Sequence, residues 1–158
     1  MKILQDNHAA PYIYLASPYT HADNVTRSQR FTAAGRAAAY IARMGHVVFS
    51  PIVHGWNLET HGLWGVEFSH KFWMRQCAPL LHNSKTMVLL PLQGWKDSKG
   101  VAEEIEYCHM TKKQIIEFPA DFYAKAVGYG VDYPHTPLEP LSEHERQIYN
   151  ILPWSNHV

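Results

Sequence analysis

Leu89-Leu90-Pro91-Leu92-Gln93-Gly94-Trp95-Lys96-Asp97-Ser98-Lys99-Gly100-Val101-Ala102-Glu103-Glu104-Ile105-Glu106-Tyr107-Cys108 reads as the end of a buried strand, a polar Gly-containing loop and the first turns of a helix. Thr86-Met87-Val88 extends the strand upstream. In an open α/β sheet, ligands bind in the crevice where such strands end and loops begin, so the hydroxyls and carboxylates of this loop are placed to meet one.

Working outward, Tyr12-Ile13-Tyr14-Leu15-Ala16 is a short apolar run closed by Ser17-Pro18-Tyr19-Thr20, which predicts a first buried strand ending in a loop. Asp23 or Asn24 can cap the Ala-rich segment that follows, whose Phe31, Ala34, Ala38, Ile41 and Ala42 recur at helical spacing until Gly45. His46 to Ser50, bounded by Pro51, is then a second strand reached through a crossover helix, the pattern of a βαβ unit. From Ile52 to Ser69 the periodicity breaks, and a long aromatic connection serving as a lid or pocket wall is expected. Phe72, Met74, Cys77, Leu80 and Leu81 mark another helix, which Pro79 is expected to bend or end. Gln114 to Phe118 forms a fourth strand. Ala120 to Pro140 shows no periodicity, and Leu141 to Leu152 suits a last helix with Ser142 and Glu145 in capping-box spacing. Alternating strands and helices predict an α/β protein whose parallel sheet is covered on both faces.

A chain of 158 residues, 46% hydrophobic, has the length for one domain over residues 1–158. Its 14 basic residues balance 14 acidic ones, so no basic field exists to grip a nucleic-acid polymer. Cys77 and Cys108 share no CxxC spacing and fit reduced core thiols of a cytoplasmic protein. No run approaches the roughly 20 apolar residues of a membrane span, so no membrane partner is expected. Among the histidines, His54, His61 and His70 match no HExxH or zinc pattern, so neither a metal nor another cofactor is expected.

Ser98 and Gly100 stand where a helix N-terminus offers unpaired N–H groups to an anion. Ser98 equally suits a plain N-cap, and the two roles are compatible. Glu103 gains from the helix dipole whatever else it does. If Val101 and Ile105 face the core, Glu104 is the carboxylate directed toward the strand ends. Trp95 is core by default and is also placed to stack on a base.

These stretches, Tyr12-Ile13-Tyr14-Leu15-Ala16-Ser17-Pro18-Tyr19, Ser50-Pro51 and Gly94 to Ile105 with its Ser-x-Gly-Val-x-x-Glu spacing, resemble the nucleoside 2-deoxyribosyltransferase superfamily. The likeness covers about residues 11–118, leaving 119–158 as a C-terminal extension. Its pattern is nearest to the small phage and bacterial members and the 2'-deoxynucleoside 5'-monophosphate N-glycosidases. The resemblance implies a flavodoxin-like or Rossmann-like three-layer sandwich with four to five parallel strands, and a homo-oligomer acting on a small-molecule nucleoside or nucleotide. It places Glu104 on the nucleophilic glutamate, Ser98 on the serine near the 5'-phosphate, and Ser17 and Tyr19 on the loop lining the nucleotide site. The chain departs from the pattern at Ala78, Thr86 and Ser98, where relatives carry aspartates. Asp97 or His54 is then left to protonate or hydrogen-bond the departing base. The reaction expected is N-glycosidic cleavage of a nucleoside monophosphate; the alternatives are base transfer between nucleosides, a nucleotide-binding or sensing module without turnover, and a structural homo-oligomer.

Overall fold

Four short parallel strands, β1 (Tyr12–Ala16), β2 (Val47–Phe49), β3 (Thr86–Leu89) and β4 (Gln114–Glu117), form one sheet in the order β2-β1-β3-β4. The computed structural model describes residues 11–62 and 69–118. In the sheet Tyr12 pairs with Val47, Ile13 with Thr86 and Thr86 with Gln114. All four residues of β3 are buried, as expected of a central strand covered on both faces.

Alternation along the strands sorts their side chains into two cores. Ile13, Leu15 and Val88 point to one face, against Ala33, Ala37, Tyr40 and Ile41 of helix α1 (Asn24–Arg43). Tyr14, Ala16 and Met87 point to the other, against Cys77 and Leu81 of α3 (His70–Asn83) and Cys108 of α4 (Lys99–Met110). The result is a three-layer α/β/α fold of the flavodoxin-like kind, as the sequence predicts.

Asp23 is the cap that starts α1, its carboxylate accepting from the amides of Val25 and Thr26 at 3.2 and 2.8 Å. One expectation needs correction. The connection after β2 is not irregular at its start: α2 spans Pro51–His61, capped by Ser50 and opened by Pro51 at its first position. Gly55 sits buried where α2 meets α3, and a Cβ there would lie 3.3 Å from the Trp73 ring. Of the two outcomes expected at Pro79, ending is not the one found: α3 runs on to Asn83, whose side-chain amide donates to the Pro79 carbonyl at 2.7 Å. The helix expected at Leu141 to Leu152, the rest of the 119–158 extension, and Trp64 lie outside the described residues. Among the described residues no helix is long and apolar enough to cross a membrane.

The strand order changes direction beside β1, since β2 lies on one side of it and β3 on the other. That switch point leaves a crevice outside the carboxyl ends of β1 and β3, and it fixes where a ligand site is to be sought.

Candidate active site

Tyr14, in the middle of β1, is fully buried, and so large a side chain needs a partner for its hydroxyl. It finds one 90 residues away, donating to Glu104 Oε1 at 2.6 Å. Glu104 lies one turn into α4 and is 7% exposed. Burial raises its carboxyl from an ordinary 4.5 to about 7; the Tyr14 hydrogen bond opposes the rise and the nearby Glu103 charge adds to it. Burial also raises the Tyr14 hydroxyl, reinforced by Glu104. Cys77, on α3, is pushed up to about 11, first by burial and then by Glu104. Its thiol stays neutral at physiological pH, so Glu104 is the group of this cluster that can carry negative charge there.

Glu104 opens onto a cavity of about 360 Å³. The floor is the crevice: Ser17 follows β1, and Ser98, Gly100 and Val101 begin α4. The walls come from Arg27 of α1, Trp56 and Glu59 of α2, and His70, Trp73 and Cys77 of α3. Ser98 caps α4 only loosely, with the Val101 amide 3.4 Å from its oxygen. Among the described residues, buried Ser17 Oγ has no hydrogen-bond partner, nor does Arg27 Nε. A buried hydroxyl without a partner is costly, and a polar ligand supplies what it lacks.

Three further contacts shape the walls. The Tyr19 hydroxyl donates to Glu59 Oε2 at 3.2 Å, tying the loop after β1 to α2; burial and that carboxylate push Tyr19 up to about 12. Arg30 of α1 donates to the carbonyls of Thr20 and Gln93, both at 2.8 Å, and so joins the loop after β1 to the loop after β3. On the rim, His70 Nε2 lies 2.9 Å from Glu103 Oε2, and Lys99 Nζ is 3.8 Å from the other Glu103 oxygen.

Of the residues singled out from sequence, Ser17, Tyr19, Ser98, Gly100 and Glu104 line this cavity, and Trp95, Asp97 and His54 do not. Trp95 belongs to a single 3₁₀ turn, Trp95–Asp97, and faces a separate hollow with Ala102 and Ile105. Its ring is covered by the Lys96 ammonium, 5.7 Å from the centroid. Asp97 is exposed in the same turn, and His54 is exposed on α2 with its ring 5.6 Å from that of Phe49. Thr86 is buried in β3, and Ala78 is exposed on α3. Arg27, Glu59, His70 and Cys77 are the chemistry-bearing wall residues that sequence reading does not select. The usable signal is Ser50-Pro51, a cap followed by a first-turn proline, which makes α2 a wall and brings Glu59 inward. Among the described residues no three His, Cys, Asp or Glu side chains gather in a group able to hold a metal.

A family model described as a domain of unknown function, DUF1937, matches residues 11–120, and the chain belongs to that family. No curated protein matches the sequence.

Proposed function

We propose that the protein cleaves the N-glycosidic bond of a deoxynucleoside 5'-monophosphate through a covalent ester on Glu104. The observation that carries this reading is the Tyr14–Glu104 pair at 2.6 Å, opening into a 360 Å³ cavity beside the start of α4. The Glu104 carboxylate attacks C1' as the base leaves, through an oxocarbenium-like state, and water then opens the glycosyl ester. Attack needs the ionised carboxylate, which the Tyr14 hydroxyl favours against the pull of burial. Ser98, the amides that open α4, and the unpartnered Ser17 hydroxyl supply donors to the 5'-phosphate, and Arg27 supplies positive charge on the same cavity. That anion-favouring end is the ground for a nucleotide hydrolase over a nucleoside transferase. The buried free thiols Cys77 and Cys108 suit a reducing cytoplasmic setting. The resemblance adds a homo-oligomer whose neighbouring subunit completes the cavity.

One observation favours a second reading. Asp97 and His54, the donors that the sequence offers for the departing base, stand outside the cavity. A module that binds nucleotides without turning them over needs no such donor.

The test is chromatographic detection of free base from a panel of deoxynucleosides and their monophosphates, with intact-protein mass spectrometry for a deoxyribose-phosphate adduct. Base release and an adduct are expected with the wild type. Glu104→Gln is expected to lose both, with base release falling by several orders of magnitude. Nucleotide binding without base release would establish the second reading, and unchanged turnover in Glu104→Gln would remove the covalent mechanism.

A further inference from the structure

On the glycosidase reading above, we propose that His70, held by Glu103, is the acid–base residue that protonates the departing base and then activates the water that frees Glu104.

The placement comes from α4. Gly100 and Glu104 are four residues apart, hence on one face of the helix and separated by a rise of roughly 6 Å. His70, the first residue of α3, packs over Gly100: a Cβ at Gly100 would lie 3.9 Å from His70 Cε1. The imidazole therefore stands about one helical turn from the proposed nucleophile, on the same cavity, with a glycine leaving the space between them open. Ser69 fixes this corner by capping α3, its hydroxyl accepting from the Phe72 amide at 3.2 Å.

Glu103 determines how the ring is presented. An ionised carboxylate only accepts, so at 2.9 Å it accepts a hydrogen bond from the His70 Nε2–H and leaves Nδ1 as the nitrogen available to the cavity. Lys99, 3.8 Å from Glu103 and one helical turn before it, adds a second contact that holds this carboxylate. A base oriented by a third group is the arrangement that general acid–base catalysis needs. His70 also fills the vacancy left by Asp97 and His54, neither of which reaches the cavity.

The steps balance. The C1'–N bond breaks as the Glu104 oxygen bonds to C1', and the Nδ1 proton of the imidazolium passes to the base nitrogen, which leaves neutral. The neutral imidazole then accepts a proton from water as its oxygen attacks C1'. The ester bond breaks, Glu104 leaves as carboxylate, and the imidazolium is restored. Nothing is oxidised or reduced and no other reactant is needed. Glu103 acts through His70 and is a positioning residue.

The test is rapid-quench kinetics of the full chain on a deoxynucleoside monophosphate that the wild type turns over, and on a synthetic 2-deoxyribose 5-phosphate carrying a nitrophenolate leaving group, which departs without a proton. His70→Gln is expected to slow base release from the nucleotide about 10²- to 10⁴-fold, the range for a lost acid–base group, with KM little changed. Nitrophenolate release in its first turnover is expected near the wild-type rate, followed by accumulation of the Glu104 adduct, which added azide then discharges. Glu103→Gln is expected to show a weaker form of the same split, and Glu103→Asp to recover part of the rate. Equal losses on both leaving groups, or no loss on either, would overturn the role of His70. A wild type that gives neither base nor adduct overturns the glycosidase reading itself and His70 with it, and that outcome is seen before any variant is made.

Discussion

Replacing Glu104 by Gln is expected to stabilise the protein at alkaline pH and not at acid pH. In the folded chain the carboxyl titrates near 7, against an ordinary 4.5, chiefly because burial penalises its charge. Between those values the folded state holds a proton that the unfolded state has released, so stability falls as pH rises through the window. The contribution is fully present below about pH 4.5 and lost above about pH 7. At about 1.4 kcal/mol for each pH unit between the two values, the loss is roughly 3 kcal/mol, large beside the 5–15 kcal/mol of a typical domain. The amide that Glu104→Gln introduces does not titrate, and its carbonyl can still accept from Tyr14. Urea unfolding of both proteins at pH 4, 6, 7.5 and 8.5 reads the difference, with equal m-values as the check that only stability has changed. Groups that Glu104 does not touch titrate alike in both chains and cancel. Cys77, pushed up to about 11, and Tyr14, raised further, do not titrate inside the window. The variant's advantage should therefore grow by roughly 3 kcal/mol between pH 4 and 8. A difference that stays constant with pH, or shrinks as pH rises, would refute the claim that burial penalises this charge. Function is tied to the same balance, because the ionised form that attacks C1' in the proposed reaction is the form that costs stability.

Tyr14→Phe removes the hydrogen bond that favours ionised Glu104 while keeping the ring volume, so the pH midpoint for base release is expected to move upward from about 7. A stability loss of about 1.5–3 kcal/mol at alkaline pH should accompany it, measured by urea unfolding, as for a lost bond to a charged group. Ser98→Ala is expected to weaken competitive binding of a deoxynucleoside monophosphate by about 1–3 kcal/mol and to leave the nucleoside nearly unaffected. An equal loss for both ligands would return Ser98 to helix capping alone.

The layers of the fold are legible in the sequence because each rests on local signals. The aliphatic run Met87-Val88-Leu89 suits a covered strand, and Asp23 and Gly45 bracket α1 with a cap and a stop. The region after β2 resists such a reading because Gly55 and Pro51 are ambiguous in sequence. Proline breaks a helix in its interior and starts one at its first position, and only Ser50 as a cap distinguishes the cases. Gly55 is a packing residue: it lets Trp73 of α3 lie against α2, a constraint set by an element far along the chain. Pro79 sits late in α3, where the helix continues past it for one more turn to Asn83.

The site divides along the same line. Ser98, Gly100 and Glu104 follow one another on a loop and helix start, so spacing alone puts them on one edge, and Ser17 joins them because β1 and β3 end side by side. Asp97 looks equally near in sequence, yet it closes a 3₁₀ turn and does not line the cavity that Ser98 enters. Residue order cannot show which way a tight turn directs its side chains. Tyr14 reads as core from its alternation in β1, and nothing local pairs it with Glu104. The available hint is physical: a tyrosine among aliphatic residues in a buried strand carries a hydroxyl that must find a partner. Followed to its end, that requirement leads from β1 to α4, and it explains why one glutamate on this helix is buried while Glu103 beside it remains half-exposed with His70. The sheet thus reaches the carboxylate through a strand residue, while helices that the chain adds later supply the groups around it.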